Sequence, residues 1–191
     1  MSEAQTIEHK AEEFINGIDL KTLSETVDAI KADPGLGACR FRAINKWLSG
    51  TFNRSRVSKY YAAKQERTHK RKFDLDADEP PLLAGVDGAP NPVEHLLHAL
   101  ASCLTTSMVA HAAVGGIPIK SVQSQIEGDI DLRGFLGLSP DVPRGYTALR
   151  ITFKVDADPK YRKRLKELAE FSPVMNTITN GAPVEIAIDL K

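Results

Sequence analysis

The chain has 191 residues, and 25 Lys and Arg balance 25 Asp and Glu, so its formal net charge is zero. That balance excludes a global field drawing it to nucleic acid or an anionic membrane surface, and the length suits one sizeable domain or an ordinary domain with an extension. Its two cysteines, far apart in different contexts, exclude a disulfide framework.

The chain starts Met1-Ser2-Glu3 and lacks the apolar core of a signal peptide, so a reducing cytoplasm is the expected compartment. Residues 1–36 read as a helical arm. Ile7, Phe14 and Ile18 fall on one face of a first helix, interrupted at Asn16-Gly17. Leu20, Leu23, Val27 and Ile30 keep the spacing of a second helix, which Asp33-Pro34-Gly35 ends.

Residues 37–191 form the main domain. Cys39, Phe41, Ala43 and Trp47 share one parity against Arg40, Arg42 and Lys46, which predicts a half-buried strand with Cys39 as a small core residue. Gly50 marks a turn, and further strands are expected over 57–63 and 68–75. A basic block from Arg54 to Lys72 runs directly into Asp74, Asp76, Asp78 and Glu79. Opposite blocks side by side describe solvated strands that neutralise each other, not a nucleic-acid surface. Residues 76–92, rich in Asp, Pro and Gly, read as a loop.

A long helix follows. Asn91 can N-cap it, Pro92 suits its first position, Glu94 stands where a capping-box acid reaches back, and Gly115-Gly116 stops it after Val114. From His95 to Ile119 there is no Asp, Glu, Lys or Arg. The stretch could span a bilayer by length, but His98, His111, Ser102, Thr105, Thr106 and Ser107 make it too polar, so a buried core helix is expected. Cys103 sits at its centre.

Beyond it, Val122, Ser124, Ile126, Gly128, Ile130 and Leu132 alternate with polar residues in one strand, and Leu149, Ile151, Phe153 and Val155 mark another. Asp158-Pro159 opens an amphipathic helix through Leu165 and Leu168. Ser172-Pro173 opens a shorter one closed by Asn180-Gly181, and Val184, Ile186, Ile188 and Leu190 read as a final edge strand. The order predicts an α+β fold, with antiparallel sheet packed on a central helix.

Two motifs in this order resemble a known family. The run Asn91-Pro92-Val93-Glu94-His95-Leu96-Leu97 through Ala99-Leu100-Ala101-Ser102-Cys103-Leu104 is similar to the central-helix signature of the OsmC/Ohr family, named for osmotically inducible protein C and organic hydroperoxide resistance protein. Ser172-Pro173-Val174-Met175-Asn176-Thr177, followed by Asn180-Gly181, resembles its second signature. The resemblance covers about residues 38–191. It implies an intertwined homodimer with sites at the subunit interface, where a thiolate on the central helix attacks the O–O bond of an organic hydroperoxide. A second cysteine then resolves the sulfenic acid, and an arginine held by a glutamate stabilises charge.

Carried over by position, Cys103 matches the reactive cysteine. Ser172 stands in the place of the resolving one, so restoration would fall to an external thiol. Val93 occupies the usual glutamate position, with Glu94 shifted by one residue, about 100° around the helix. The family's arginine would fall near Thr51, and Arg54 is the nearest candidate. The nucleophile is a thiolate, and a free cysteine ionises near pH 8.5, so activation calls for a close cation. The helix N-terminus at Asn91 is too distant to supply that field.

The candidate catalytic set is therefore Cys103, Glu94 and Arg54, with no cofactor and no metal expected. Glu94 also reads as a plain capping acid. His95 and His98 have a spacing that can hold a metal but lack partners, and His111 could border a thiol pocket or simply pack. Two functions remain open. One is a thiol-dependent peroxidase acting on a small hydroperoxide; the other is a non-catalytic protein holding a small hydrophobic ligand in the same interface pocket. Neither involves nucleic acid or membrane.

Overall fold

The computed structural model describes residues 14–190. Ile7 lies outside them. Asn16-Gly17 is not a helix interruption but the turn of a small hairpin, β1 (Phe14–Ile15) paired antiparallel with β2 (Ile18–Asp19). Both turn residues have positive φ, which is what Asn-Gly supplies in a two-residue hairpin. The second expected helix is present as α1 (Leu20–Ala32), with Asp19 as N-cap and Asp33 as C-cap.

The next region is a four-stranded antiparallel sheet built on β5 (Phe52–Ala62). On one edge of β5 lie β3 (Arg40–Phe41) and β4 (Ile44–Ser49), and on the other lies β6 (Gln65–Ala77). The single strand expected from Cys39 to Trp47 is thus broken in two. Its apolar parity does not find a core within this chain. Cys39 is exposed, and Phe41 and Trp47 stay 73% and 72% exposed. The adjacent charge blocks do pair: Arg54 stands opposite Asp76 and Arg56 opposite Asp74, each as a two-point ion pair across β5 and β6.

The loop from β6 to the central helix turns around one buried side chain. Asp78 accepts hydrogen bonds from the Thr51 hydroxyl at 2.6 Å and from the backbone N–H groups of Glu79, Val86 and Gly88. Gly85 lies so close to the Glu79 backbone that a Cβ there would overlap its carbonyl oxygen.

Helix α2 (Pro92–Val114) begins with the expected capping box: Asn91 Oδ1 accepts from Glu94 N–H, and Glu94 Oε2 accepts from Asn91 N–H. Its buried stripe is Leu100, Leu104, Met108, Ala112 and Ala113. The remainder is less covered than a core helix should be, since only 28% of its most apolar 18-residue window is buried. By length and composition this helix could cross a membrane. Its leucine, methionine and alanine stripe instead packs in a core.

That core lies in the second half of the chain. Strand β7 (Ser121–Ile130) pairs antiparallel with β8 (Tyr146–Asp156), and short α3 (Leu132–Phe135) lies in the connection. A turn at Pro159–Tyr161 leads to α4 (Arg162–Ala169), and α5 (Pro173–Asn180) follows. Leu165, Leu168 and Ala169 of α4 close on the α2 stripe and Ile117, with Ile126, Ile151, Phe153 and Val155 of the sheet packed against them. The architecture is α+β, with antiparallel strands and helices about α2. The expected final strand is absent: from Gly181 to Leu190 the chain runs without pairing to any described strand, and its apolar side chains are exposed.

Candidate functional site

Cys103 occupies the middle of α2, one residue before the buried Leu104, and is itself half-buried. Leu96 and Thr106, seven residues before it and three after, share that flank of the helix by their spacing and are exposed. The thiol is therefore neither sealed in the core nor fully in water. Among the described residues it makes no hydrogen bond.

The other two candidate residues are engaged elsewhere. Glu94 is nine residues earlier on the same helix, about 13 Å along its axis, and its carboxylate completes the capping box. Arg54 donates through Nε and Nη2 to both carboxylate oxygens of Asp76, at 2.5 and 2.8 Å. This pair lowers the carboxyl of Asp76 and raises the guanidinium of Arg54, chiefly through those hydrogen bonds. The Asp76 carbonyl meets His95 Nε2 at 2.8 Å, so β6 is tied to the second turn of α2, about 12 Å along the axis from Cys103. Within one chain Cys103, Glu94 and Arg54 are not joined into a cluster.

Ser172 is fully buried, and its hydroxyl accepts a hydrogen bond from Met175 N–H at 3.1 Å as the N-cap of α5. His111 packs on an aromatic neighbour, its ring centroid 4.6 Å from that of Phe171. His98 is exposed. Among the described residues, no group of three His, Cys, Asp or Glu side chains gathers as a metal site would require.

Three positioning residues escaped the sequence reading. Asn16 clamps the turn after α2, donating from Nδ2 to the Ile117 carbonyl and accepting from Ile119 N–H. The Asn-Gly dipeptide was the available signal for that hairpin. Tyr146 donates its hydroxyl to the carbonyl of Val93 at 3.0 Å, fixing the start of β8 against the start of α2. Gly128 makes room for that ring, since a Cβ there would lie 2.6 Å from it. Burial, with the nearby Glu94 charge adding to it, raises the Tyr146 phenol above its ordinary range. Asp78, the third, looked like one more solvated acid. Its carboxyl is held down to about 2 by the Thr51 hydroxyl first and the Gly88 N–H next.

The flank of α2 carrying Leu104 and Met108 opens into an apolar groove of about 700 Å³. Ile151, Phe153 and Val155 of β8 form one wall, and Leu165 and Ala169 of α4 the other. Cys103 is not among its lining residues. This groove is therefore a different surface from the flank of the thiol, because Leu104 and Cys103 are successive residues and point about 100° apart.

The OsmC-like protein family model matches residues 85–187, a stretch that includes α2, Cys103 and Ser172. The chain belongs to the OsmC-like family. Solved structures share the fold across more of its length. An OsmC-like protein from Mycoplasma pneumoniae superposes with a TM-score of 0.55 at 14% identity, over 74% of this chain and 89% of that one. An osmotic stress induced and detoxification response protein from Psychrobacter arcticus gives 0.54 at 18% identity, over 71% and 85%. An organic hydroperoxide resistance protein OsmC from Legionella pneumophila, described also as a redox protein and regulator of sulfide bond formation, gives 0.51 at 19% identity, over 72% and 89%. At such identities these likenesses speak for the fold. No curated protein matches the chain significantly. OsmC-like membership carries a redox or stress-response role.

Proposed function

We propose that this OsmC-like protein is a thiol-dependent peroxidase working as a homodimer, with Cys103 as nucleophile and an external thiol as its resolving partner. The observation that carries the reading is the placement of Cys103: a half-buried thiol midway along the apolar helix, on a flank where the chain leaves Leu96 and Thr106 open. The Cys103 thiolate attacks the terminal oxygen of an organic hydroperoxide. The O–O bond breaks, the alkoxide leaves and takes a proton as the alcohol, and the sulfur becomes a sulfenic acid. An external thiol condenses with it, releasing water, and a second thiol displaces the mixed disulfide to restore Cys103. Internal resolution is disfavoured because position 172 is a buried serine and Cys39 is exposed, just ahead of the separate N-terminal sheet.

In the assembly, the cation that activates the thiol comes from the second copy or from an Arg54 released from Asp76. Cumene hydroperoxide tests the reading. One equivalent added to reduced protein should yield cumyl alcohol and one added oxygen at Cys103 by intact mass, or a thiol adduct when a small thiol is present. Cys103→Ser should abolish this, and Cys39→Ser should preserve it. No hydroperoxide consumption, or a loss of two hydrogens linking Cys39 to Cys103, would overturn it. A second reading, binding of a small hydrophobic ligand, is favoured by the groove beside Leu104 and Met108.

A further inference from the structure

The sheet of β3 to β6 carries a line of stacked flat side chains that no core covers. Phe41 of β3 lies 5.9 Å from Tyr60 of β5, ring to ring and 19° from parallel. Tyr60 lies 4.7 Å from His69 of β6, and His69 stands edge-on to Phe73 at 5.5 Å. The Arg71 guanidinium ends the line, 5.1 Å over the Phe73 ring. At the other end Phe41 is 73% exposed, which leaves the ring face turned away from Tyr60 open to solvent. An irregular ladder produces this line. Pairing passes from Val57 opposite Phe73 to Lys59 opposite Thr68, so the single residue Ser58 faces four, His69 to Lys72. Such a bulge re-aims side chains, and here it brings His69 between Tyr60 and Phe73.

The second observation is charge. The two opposite blocks of the sequence neutralise each other toward one end of the ladder, where Arg54 and Arg56 hold Asp76 and Asp74. Around the stack, Arg40, Lys59, Arg67, Lys70, Arg71 and Lys72 are exposed, and none has an ion pair among the described residues. Arg67 stands directly opposite Tyr60 and so shares its face of the sheet. The acid within this stretch, Glu66, is already held at two points by Arg42, at 2.6 and 2.8 Å. The cations from Lys70 to Lys72 follow one another and repel. A local excess of one sign draws a polyanion even where the whole chain is neutral.

Exposed cations interleaved with stacking rings match a single-stranded nucleic acid, whose phosphates meet the cations while its unpaired bases stack on the rings. A duplex keeps its bases stacked on each other. A lipid surface or an acidic peptide would draw the cations too, but offers no row of flat groups to stack with Phe41, Tyr60 and His69. We infer that this protein binds single-stranded nucleic acid on the face shared by β3, β5 and β6, with a base on the open side of Phe41 and the backbone following Arg67 and the bulge from Lys70 to Lys72. Ile44, Trp47 and Leu75 lie toward the other end of β5, where Asn53, Ser55 and Arg56 are their cross-strand partners, and stay available to the second copy. The surface does not involve Cys103, so it stands or falls separately from the peroxidase reading.

The test is the fluorescence anisotropy of a labelled oligouridine of about 12 nucleotides, titrated with the full-length protein at several salt concentrations. Binding should weaken as salt rises, with a log–log slope of about −0.7 for each phosphate neutralised. Phe41→Ala should weaken it at least fivefold with the slope unchanged, as loss of one stacked base does. That side chain is largely exposed, so the variant should keep its fold by circular dichroism. Joint replacement Lys70→Gln and Lys72→Gln should instead make the slope shallower by about one to two contacts. No binding at low salt would overturn the inference. Binding that Phe41→Ala leaves unchanged would also overturn it, because charge alone would then hold the oligomer. So would tighter binding of a duplex of the same length, or displacement of the oligomer by phosphatidylserine vesicles at equal phosphate.

Discussion

The two halves of this protein use apolar residues in opposite ways. In the second half, α2, α4, β7 and β8 bury theirs against each other, with Met108 and Leu168 each at 2% exposure. In the first half, the sheet of β3 to β6 is just as regular and is braced by ion pairs of its own, yet Phe41, Ile44, Trp47, Phe73 and Leu75 remain exposed. The difference teaches that strand pairing and cross-strand charge can shape a sheet without giving it a core. A sheet with that much apolar surface marks a face meant for contact, and the proposed second copy is the economical cover.

The sharpest break of this comparison is a pair of truncations. Leu168→Ala removes a closed contact and should destabilise the fold by about 2–5 kcal/mol, read by denaturant unfolding. Trp47→Ala removes a larger side chain from the uncovered half. It should leave the unfolding of dilute monomer nearly unchanged while weakening the dimer by about 2 kcal/mol, roughly 30-fold in dissociation constant by sedimentation. A protein that stays monomeric at micromolar concentration with intact secondary structure would end the argument for cover.

Acid titration gives a smaller effect. The Asp78 carboxyl is held at about 2 against an ordinary 3.8. A depressed folded-state pKa contributes stability that is full above the unfolded value and fades as pH falls from near 4 toward 2. Asp78→Asn should therefore lower Tm by several degrees near pH 7 and flatten the acid limb in that window. The smallest stability effect is expected for Arg54→Met, because its pair with Asp76 is 45% and 33% exposed and exposed pairs contribute little. Its informative readout is the rate at which Cys103 is alkylated near neutral pH. A fall of tenfold or more would place Arg54 beside the thiol in the assembled protein, and an unchanged rate would remove it from the site.

Much of the second half was legible because each signal there is local. Asn91, Pro92 and Glu94 set the start of α2 to the residue, and strict alternation set β7. The first half was harder for a physical reason: the parity of Phe41 and Trp47 reports a buried face, but not which chain buries it. Asn16-Gly17 was misread because a hairpin of two-residue strands is too short to show a period of two. The candidate site was legible only in part. Cys103 and Ser172 stand where the motifs put them, whereas Arg54 and Glu94 found partners through strand register and capping geometry that no single-residue pattern encodes.

The buried hydroxyl of Ser172 has a consequence for anyone redesigning the protein. That oxygen caps α5, and α5 in turn supplies Met175 to the groove wall. A cysteine at this position would offer a second sulfur, but sulfur is a weak acceptor and would leave Met175 N–H poorly satisfied in a dry site. Installing a built-in resolving thiol would thus loosen the helix on which it sits. The serine acts as a constraint: a variant given a second thiol at this position would carry it on a weaker helix.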